Sequence, residues 1–276
     1  MLIRTLPLST PLTIPTEPLT PISFAPFGAV LTNPAPDLRP SAAASSPSSL
    51  PRGYGAVSAN QGTAIQYRGL APPLRDLYAQ APSGKAATPR TTMFVCGARE
   101  LELESERGGG GSGDGSSSSS SAGLFTVRVL ERHPFTTQTF IPLSSSSSSS
   151  PPAQYLVIVA PTLPPTSADN DLPVPEDTDT NTTAQTKLPG RGMPDLRRIR
   201  AFLATGSQAV TYGAGTWHAP MAALGPPGSA VDFVVVQFAN DEPVEDCQEV
   251  ALEGGGEGGP RIRVRVPGRK GEGSKL

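Results

Sequence analysis

The sequence predicts a mainly β protein closed as a barrel or sandwich. Three observations point that way: short runs rich in β-branched and aromatic residues recur along the 276-residue chain, turn signals separate them, and only two segments carry a helical pattern. With 29 Gly, 32 Pro and several homopolymeric serine runs, much of the chain cannot be core. One domain with inserts is therefore expected.

Taken in order, the N-terminal "MLIRTLPLSTPLTIP" is broken by proline before it reaches the apolar run of a signal peptide. Residues 35–52 are rich in Ser, Pro and Ala and read as a loop. A helix is expected over 72–81 ("PPLRDLYAQA"), then strands over 91–100, 124–133 ("LFTVRVLERH"), 139–143 and 155–161. A second helix is expected over 193–205 ("MPDLRRIRAFLAT"), followed by strands over 208–212 and 231–238. In "PRIRVRVP" (260–267) arginines alternate with Ile262, Val264 and Val266, the pattern of a half-exposed edge strand. Residues 104–123, 144–153 and 163–192 have too little apolar surface to offset chain entropy, so they are expected to be mobile insertions. The domain then spans 1–266, and 267–276 is a flexible tail.

A net charge of −2 and a pI near 5.8 leave no electrostatic footprint for nucleic acid or an anionic membrane, so small-molecule or protein partners are expected. No stretch approaches the roughly 18 apolar residues of a membrane span. Cys96 and Cys247 form no CxxC pair and suggest neither a disulfide framework nor a zinc knuckle, which fits a soluble protein of a reducing, intracellular compartment.

Side chains of a strand alternate between faces, so in 124–133 Phe125, Val127, Val129, Glu131 and His133 are expected on one side and Thr126, Arg128 and Arg132 on the other. That apolar face ends in a carboxylate and an imidazole. Gln138 follows five residues after His133, and His218 ends a Gly-x-x-His turn in "VTYGAGTWHAP" (210–220). If that turn pairs near the 124–133 strand, Glu131, His133, Gln138 and His218 converge at the mouth of the barrel, the usual form of a small-ligand site.

The spacing is similar to that of cupins, in which a His-x-His pair, a later Glu and a His after a Gly-x-x-His turn surround a divalent metal. Here Glu131 stands for the first His and Gln138 for the Glu, while Gly215 and His218 keep the turn. His133 and His218, with that carboxylate and amide, offer ligands for Ni²⁺, Mn²⁺ or Zn²⁺, and a metal-free polar pocket is an equal alternative.

In order, "SFAPFGAVL", "NQGTAIQYRGL", "LERHPFTTQTFIPL", "YLVIVAP", "PDLRRIRAFLATGSQAVTYGAGTWHAPMAAL" and "DFVVVQF" followed by "EDCQEV" resemble the ureidoglycolate lyase family. "ERHPFTTQTFIPL" and "GTWHAP" are the most distinctive strings. The resemblance implies a cupin-like β-barrel, usually dimeric, that cleaves ureidoglycolate to glyoxylate and urea in allantoin degradation. Such an elimination needs a base for the carbinol hydroxyl and an acid for the departing nitrogen, with no covalent nucleophile. His218 is assigned as base, an imidazole being suited to proton transfer near neutrality. Glu131 and His133 would orient it, protonate the leaving nitrogen or bind a metal. Gln138 and Asn60 are candidate hydrogen-bond donors to substrate, and Tyr67, Tyr212 and Trp217 candidate pocket walls. A non-catalytic binding protein and an amidohydrolase releasing ammonia are the alternatives, the latter short of the His and Asp of dinuclear hydrolases.

The chain ends in Ser274, Lys275 and Leu276, a tripeptide that a peroxisomal import receptor reads at a free, accessible C-terminus. Peroxisomal residence is the expectation.

Overall fold

The computed structural model describes residues 1–103, 122–143, 153–177, 187–256 and 258–268. Most of the 104–123 and 144–153 insertions, and the Ser274-Lys275-Leu276 terminus, lie outside the described residues.

The chain is mainly β, and among the described residues α-helix is confined to the short α1 (Pro21–Phe24), α2 (Pro40–Ser45) and α3 (Pro243–Asp246). The first strands are β1 (Leu2–Pro7), β2 (Leu12–Pro18), β3 (Gly28–Leu31), β4 (Ala56–Ala59), β5 (Ala64–Tyr67) and β6 (Thr88–Gly97). The middle of the chain supplies β7 (Glu102–Leu103), β8 (Gly123–Val127), β9 (Val129–Arg132), β10 (Gln138–Pro142) and β11 (Gln154–Ala160). The rest are β12 (Arg200–Thr205), β13 (Ala209–Tyr212), β14 (Trp217–His218), β15 (Ala222–Leu224), β16 (Ala230–Ala239), β17 (Gln248–Glu253) and β18 (Ile262–Val266).

One sheet runs β1-β17-β9-β14-β11-β12-β2-β18-β8-β7, and β15 pairs with β11 off this path. Phe125, Leu130, Trp217, Ile158, Ala201, Ile14, Val264 and Val250 come from eight strands of that ladder yet share one core. A flat ladder cannot bring them together, so the sheet is curled into a half-barrel. A second sheet, β3-β13-β10-β16-β6, covers the outer face of the curl. Between the two sheets Tyr155, Val157, Val159, Phe202, Phe140, Val210, Tyr212 and Phe233 form a second core. Strands β11 and β12 are buried on both faces, which is why "YLVIVAP" is apolar throughout rather than alternating.

Several expectations are corrected. Neither helix forms. In 193–205, Arg200–Thr205 is β12, hydrogen-bonded between β11 and β2. In 72–81, Arg75 N donates to Thr137 Oγ1 and Leu77 N to the Phe135 carbonyl, holding the segment extended except for a turn at Tyr78–Gln80. The 124–133 strand is two strands, broken at Arg128. Strand β18 is no edge: it pairs with β2 on one side and β8 on the other, with half-buried Arg263 and exposed Arg265 on its outer face. The 163–192 stretch is anchored where it is described, with Asp169 paired to Arg4 at 2.8 Å and Leu188 buried.

Candidate active site

The break at Arg128 decides what reaches the site. Phe125 and Val127 point into the half-barrel, and after the break Leu130 and Arg132 continue that face. Glu131 and His133 therefore turn the opposite way, into the space between the two sheets. The sequence expectation of one shared face for Phe125, Val127, Glu131 and His133 fails because one residue outside the ladder reverses the alternation.

His218 meets them from β14. Its Cα partners are Glu131 on β9 and Val159 on β11, and Val159 belongs to the inter-sheet core. The turn before it needs Gly215, which sits at φ 76°. Gly215 N donates to the His133 carbonyl at 2.8 Å, so the "GTWH" turn is fastened to the main chain of the residue that carries the second imidazole.

Backbone carbonyls set both tautomers. His133 Nδ1 lies 2.6 Å from the Asp246 oxygen and His218 Nδ1 lies 2.9 Å from the Thr216 oxygen. A carbonyl only accepts, so each Nδ1 carries its proton and each Nε2 presents a lone pair. Both Nε2 atoms are buried with no hydrogen-bond partner. The His218 Nε2 is 3.5 Å from Glu131 Oε1, and the two rings are 5.5 Å apart. Tyr212 stacks on His218 at 3.9 Å, and its own buried hydroxyl has no partner. Gln138, across from Tyr212 in the β10–β13 ladder, donates to Gln237 Oε1 at 2.7 Å and leaves its Oε1 unpaired.

Burial, then the neighbouring His218, pushes His133 down to about 4, so this imidazole is neutral near pH 7. Burial alone would raise Glu131. The His218 contact and charge, followed by His133, outweigh it and hold this carboxyl below its usual value. Burial also lifts the Cys247 thiol, 4.0 Å from Glu131, to about 12, which leaves it protonated and unreactive.

Glu131, His133, His218, Gln138 and Tyr212 thus meet between the sheets, and three expected residues do not: Trp217, Asn60 and Tyr67, the last ending β5 in the hairpin opposite Ala56. Trp217 alternates with His218 and faces the half-barrel core, fully buried, with its Nε1 donating to the Gly192 carbonyl. It walls no pocket at the imidazoles. Asn60 sits exposed in the β4–β5 hairpin turn, and that hairpin packs on α2, outside the cluster. Gln237 was missed, although a lone glutamine in phase with Phe233 and Val235 in "DFVVVQF" was a visible signal. The carbonyls of Asp246 and Thr216 had no signal, because any residue supplies one.

Two imidazole lone pairs and a carboxylate, with their ligand atoms within 4.8 Å of one another, fit a single divalent ion. Fold and cluster together define a cupin-like barrel with a two-histidine, one-glutamate centre. A family model described as ureidoglycolate lyase matches residues 11–256, and the chain belongs to that family. A ureidoglycolate lyase of Schizosaccharomyces pombe is 37% identical over 129 residues, 47% of this chain and 51% of the relative. One of Saccharomyces cerevisiae is 35% identical over 127 residues, 45% and 49% of the two chains. The chain thus spans about half the length of these relatives. One of Azotobacter vinelandii is 26% identical over 208 residues, 75% of this chain and 76% of the relative.

Proposed function

We propose that this chain cleaves ureidoglycolate to glyoxylate and urea. The observation that carries the reading is the pair of buried, unpartnered Nε2 lone pairs facing Glu131. The reaction moves one proton: it leaves the carbinol hydroxyl, the C–N bond breaks as the C=O bond forms, and the same proton ends on the urea nitrogen. His218 Nε2 takes the proton and returns it to nitrogen. Glu131, held ionised, steadies the imidazolium between those steps, and His133 is too weak a base to compete for the proton near neutrality. Gln138 and Tyr212 are the polar groups left to orient the substrate.

His133 Nε2, His218 Nε2 and Glu131 would hold a divalent ion, which supplies Lewis-acid polarisation of an oxygen when bound. A ligated His218 cannot also be the base. Dialysis against chelator therefore decides between the uses: retained activity supports the proton shuttle, whereas loss reversed by one divalent ion overturns it. The reading as a whole is tested by incubating purified full-length protein with ureidoglycolate and measuring glyoxylate and urea above the spontaneous decay. No excess over background overturns it.

We also propose a homodimer in the peroxisome. The dimer is supported by β6, an edge strand of 10 residues that exposes Met93, Phe94 and Val95. The peroxisomal reading rests on the terminal Ser274-Lys275-Leu276. An N-terminally tagged full chain should enter peroxisomes and lose import when Leu276 is deleted. Cytosolic signal from the intact chain, beside an imported control, sinks that part.

A further inference from the structure

A second cavity, of about 600 Å³, lies apart from the imidazoles. None of Glu131, His133, Gln138, Tyr212 and His218 lines it. The five-stranded sheet separates the two places. Val30, Val210 and Tyr212 point into the inter-sheet core, whereas the paired Ala29 and Thr211 are on the opposite face and form part of the cavity wall.

The charge of this wall is one-sided. Arg75, Lys187, Arg198 and Arg200 line it, and among the described residues no carboxylate does. Arg200 is neutralised by Glu17, with contacts of 2.6 and 3.0 Å. Lys187 and Arg198 have no acidic partner among the described residues. Lys187 and Arg198, without acidic partners among the described residues and beside an apolar floor of Pro26, Phe27 and Ile199, are complementary to an anion carried on an apolar body. The volume is within the usual range for a small organic ligand.

We propose that this cavity binds a small organic anion, a carboxylate or phosphate on an apolar group, at a site separate from the imidazole centre. The anion lies between Lys187 and Arg198, and the apolar group rests on Phe27 and Ile199. The site does not depend on the lyase reading. Its wall meets the imidazole centre at Thr216, whose carbonyl holds His218 Nδ1, but none of the proposed ligand contacts is an imidazole.

The probes are benzoate and phenyl phosphate, which present one ring with either anion, and inorganic phosphate, which lacks the ring. Binding to the full-length protein is followed by calorimetry and by the emission of Trp217, whose chain neighbour Thr216 lines the cavity. At least one ring anion should bind saturably below ~10 mM and more tightly than inorganic phosphate. The double variant Lys187→Gln/Arg198→Gln should weaken it ~10-fold or more, the scale of lost charge-assisted hydrogen bonds. His218→Ala should leave it within ~2-fold. Both cationic residues are exposed, so the double variant should keep its thermal midpoint, and Arg198→Lys alone should retain part of the binding if charge is what matters. Absence of saturable binding by either ring anion overturns the proposal, as does an unchanged affinity in the double variant. Loss of binding in His218→Ala overturns it too, by placing the anion at the imidazoles. These outcomes are read without turnover, so failure of this site is distinct from failure of the lyase activity.

Discussion

His218 and Glu131 are joined by a register pair and a 3.5 Å contact, so each should fail alone. His218→Ala and Glu131→Gln are each expected to lower kcat by at least ~10²-fold, the lower end of what positioned acid–base groups contribute. Near-full activity in either variant, with an unchanged thermal midpoint, removes that residue from the mechanism. His133 gives a pH signature. Its folded value of about 4 is below the ~6.5 of an unfolded imidazole, so between those values the unfolded chain binds a proton that the folded chain refuses. Stability should therefore fall as pH drops from ~6.5 towards ~4, with Glu131 adding to the loss at the acid end as its lowered carboxyl protonates. With chelator present, the thermal midpoint of His133→Gln should slope less than that of the parent between pH 6.5 and 5; equal slopes would count against a buried neutral His133. At this scale much was readable from sequence, because His and Glu are chemically distinctive and "GTWH" marks its own turn. The side on which each group lies was not, since it depends on the ladder break at Arg128.

Burial on both faces did not hide β11, whose unbroken β-branched run reads as a strand, but it did hide β12. The 193–205 segment places Leu196, Ile199 and Leu203 at helical spacing, yet Ala201, Phe202 and Ala204 divide between two cores. Burial on both faces erases the period-2 signal, and pairing with β11 and β2 overrides local preference. Arg132 shows the same limit: it reads as a solvated cation but is fully buried in the seam between β9 and the Gly190–Gly192 segment. Its guanidinium is 4.4 Å from the Trp217 ring and donates to Gln248 Oε1 and to the carbonyls of Gly190, Arg191 and Gly192. Burial pushes it down to about 9, still protonated near pH 7. Arg132→Met keeps the length and leaves those oxygens without donors, so unfolding in denaturant should show a loss of at least ~2 kcal/mol. A loss within ~0.5 kcal/mol would mean that water replaces the guanidinium at little cost.

For the molecule as a whole, the long 104–121 insertion joins strands that already touch. Leu103 pairs with Gly123 in the β7–β8 ladder, so the ends to be bridged are neighbours. Deleting residues 108–121 should barely move the thermal midpoint, because loop-closure entropy changes only logarithmically with length. A collapse of expression or activity would show that the insertion packs or binds. The opposite holds for the outer edge at β6. Its full length pairs with β16 on one side, while its other side ends the sheet. Met93 is 59% exposed, Phe94 47% and Val95 69%, so apolar side chains project from both faces of an unpaired edge. An isolated protein with such an edge is a template for adding strands, whereas a two-fold pairing of β6 with its own copy closes the edge and leaves nothing to propagate. The double variant Met93→Lys/Val95→Lys places like charges opposite each other across that axis and should convert a dimer to a monomer in sedimentation. Buried side chains are untouched, so the fold should survive. Glyoxylate production should persist in the monomer, since Glu131, His133 and His218 come from one chain. A parent protein that sediments as a monomer at micromolar concentration, or a double variant that stays dimeric, would place the dimer contact elsewhere or remove it.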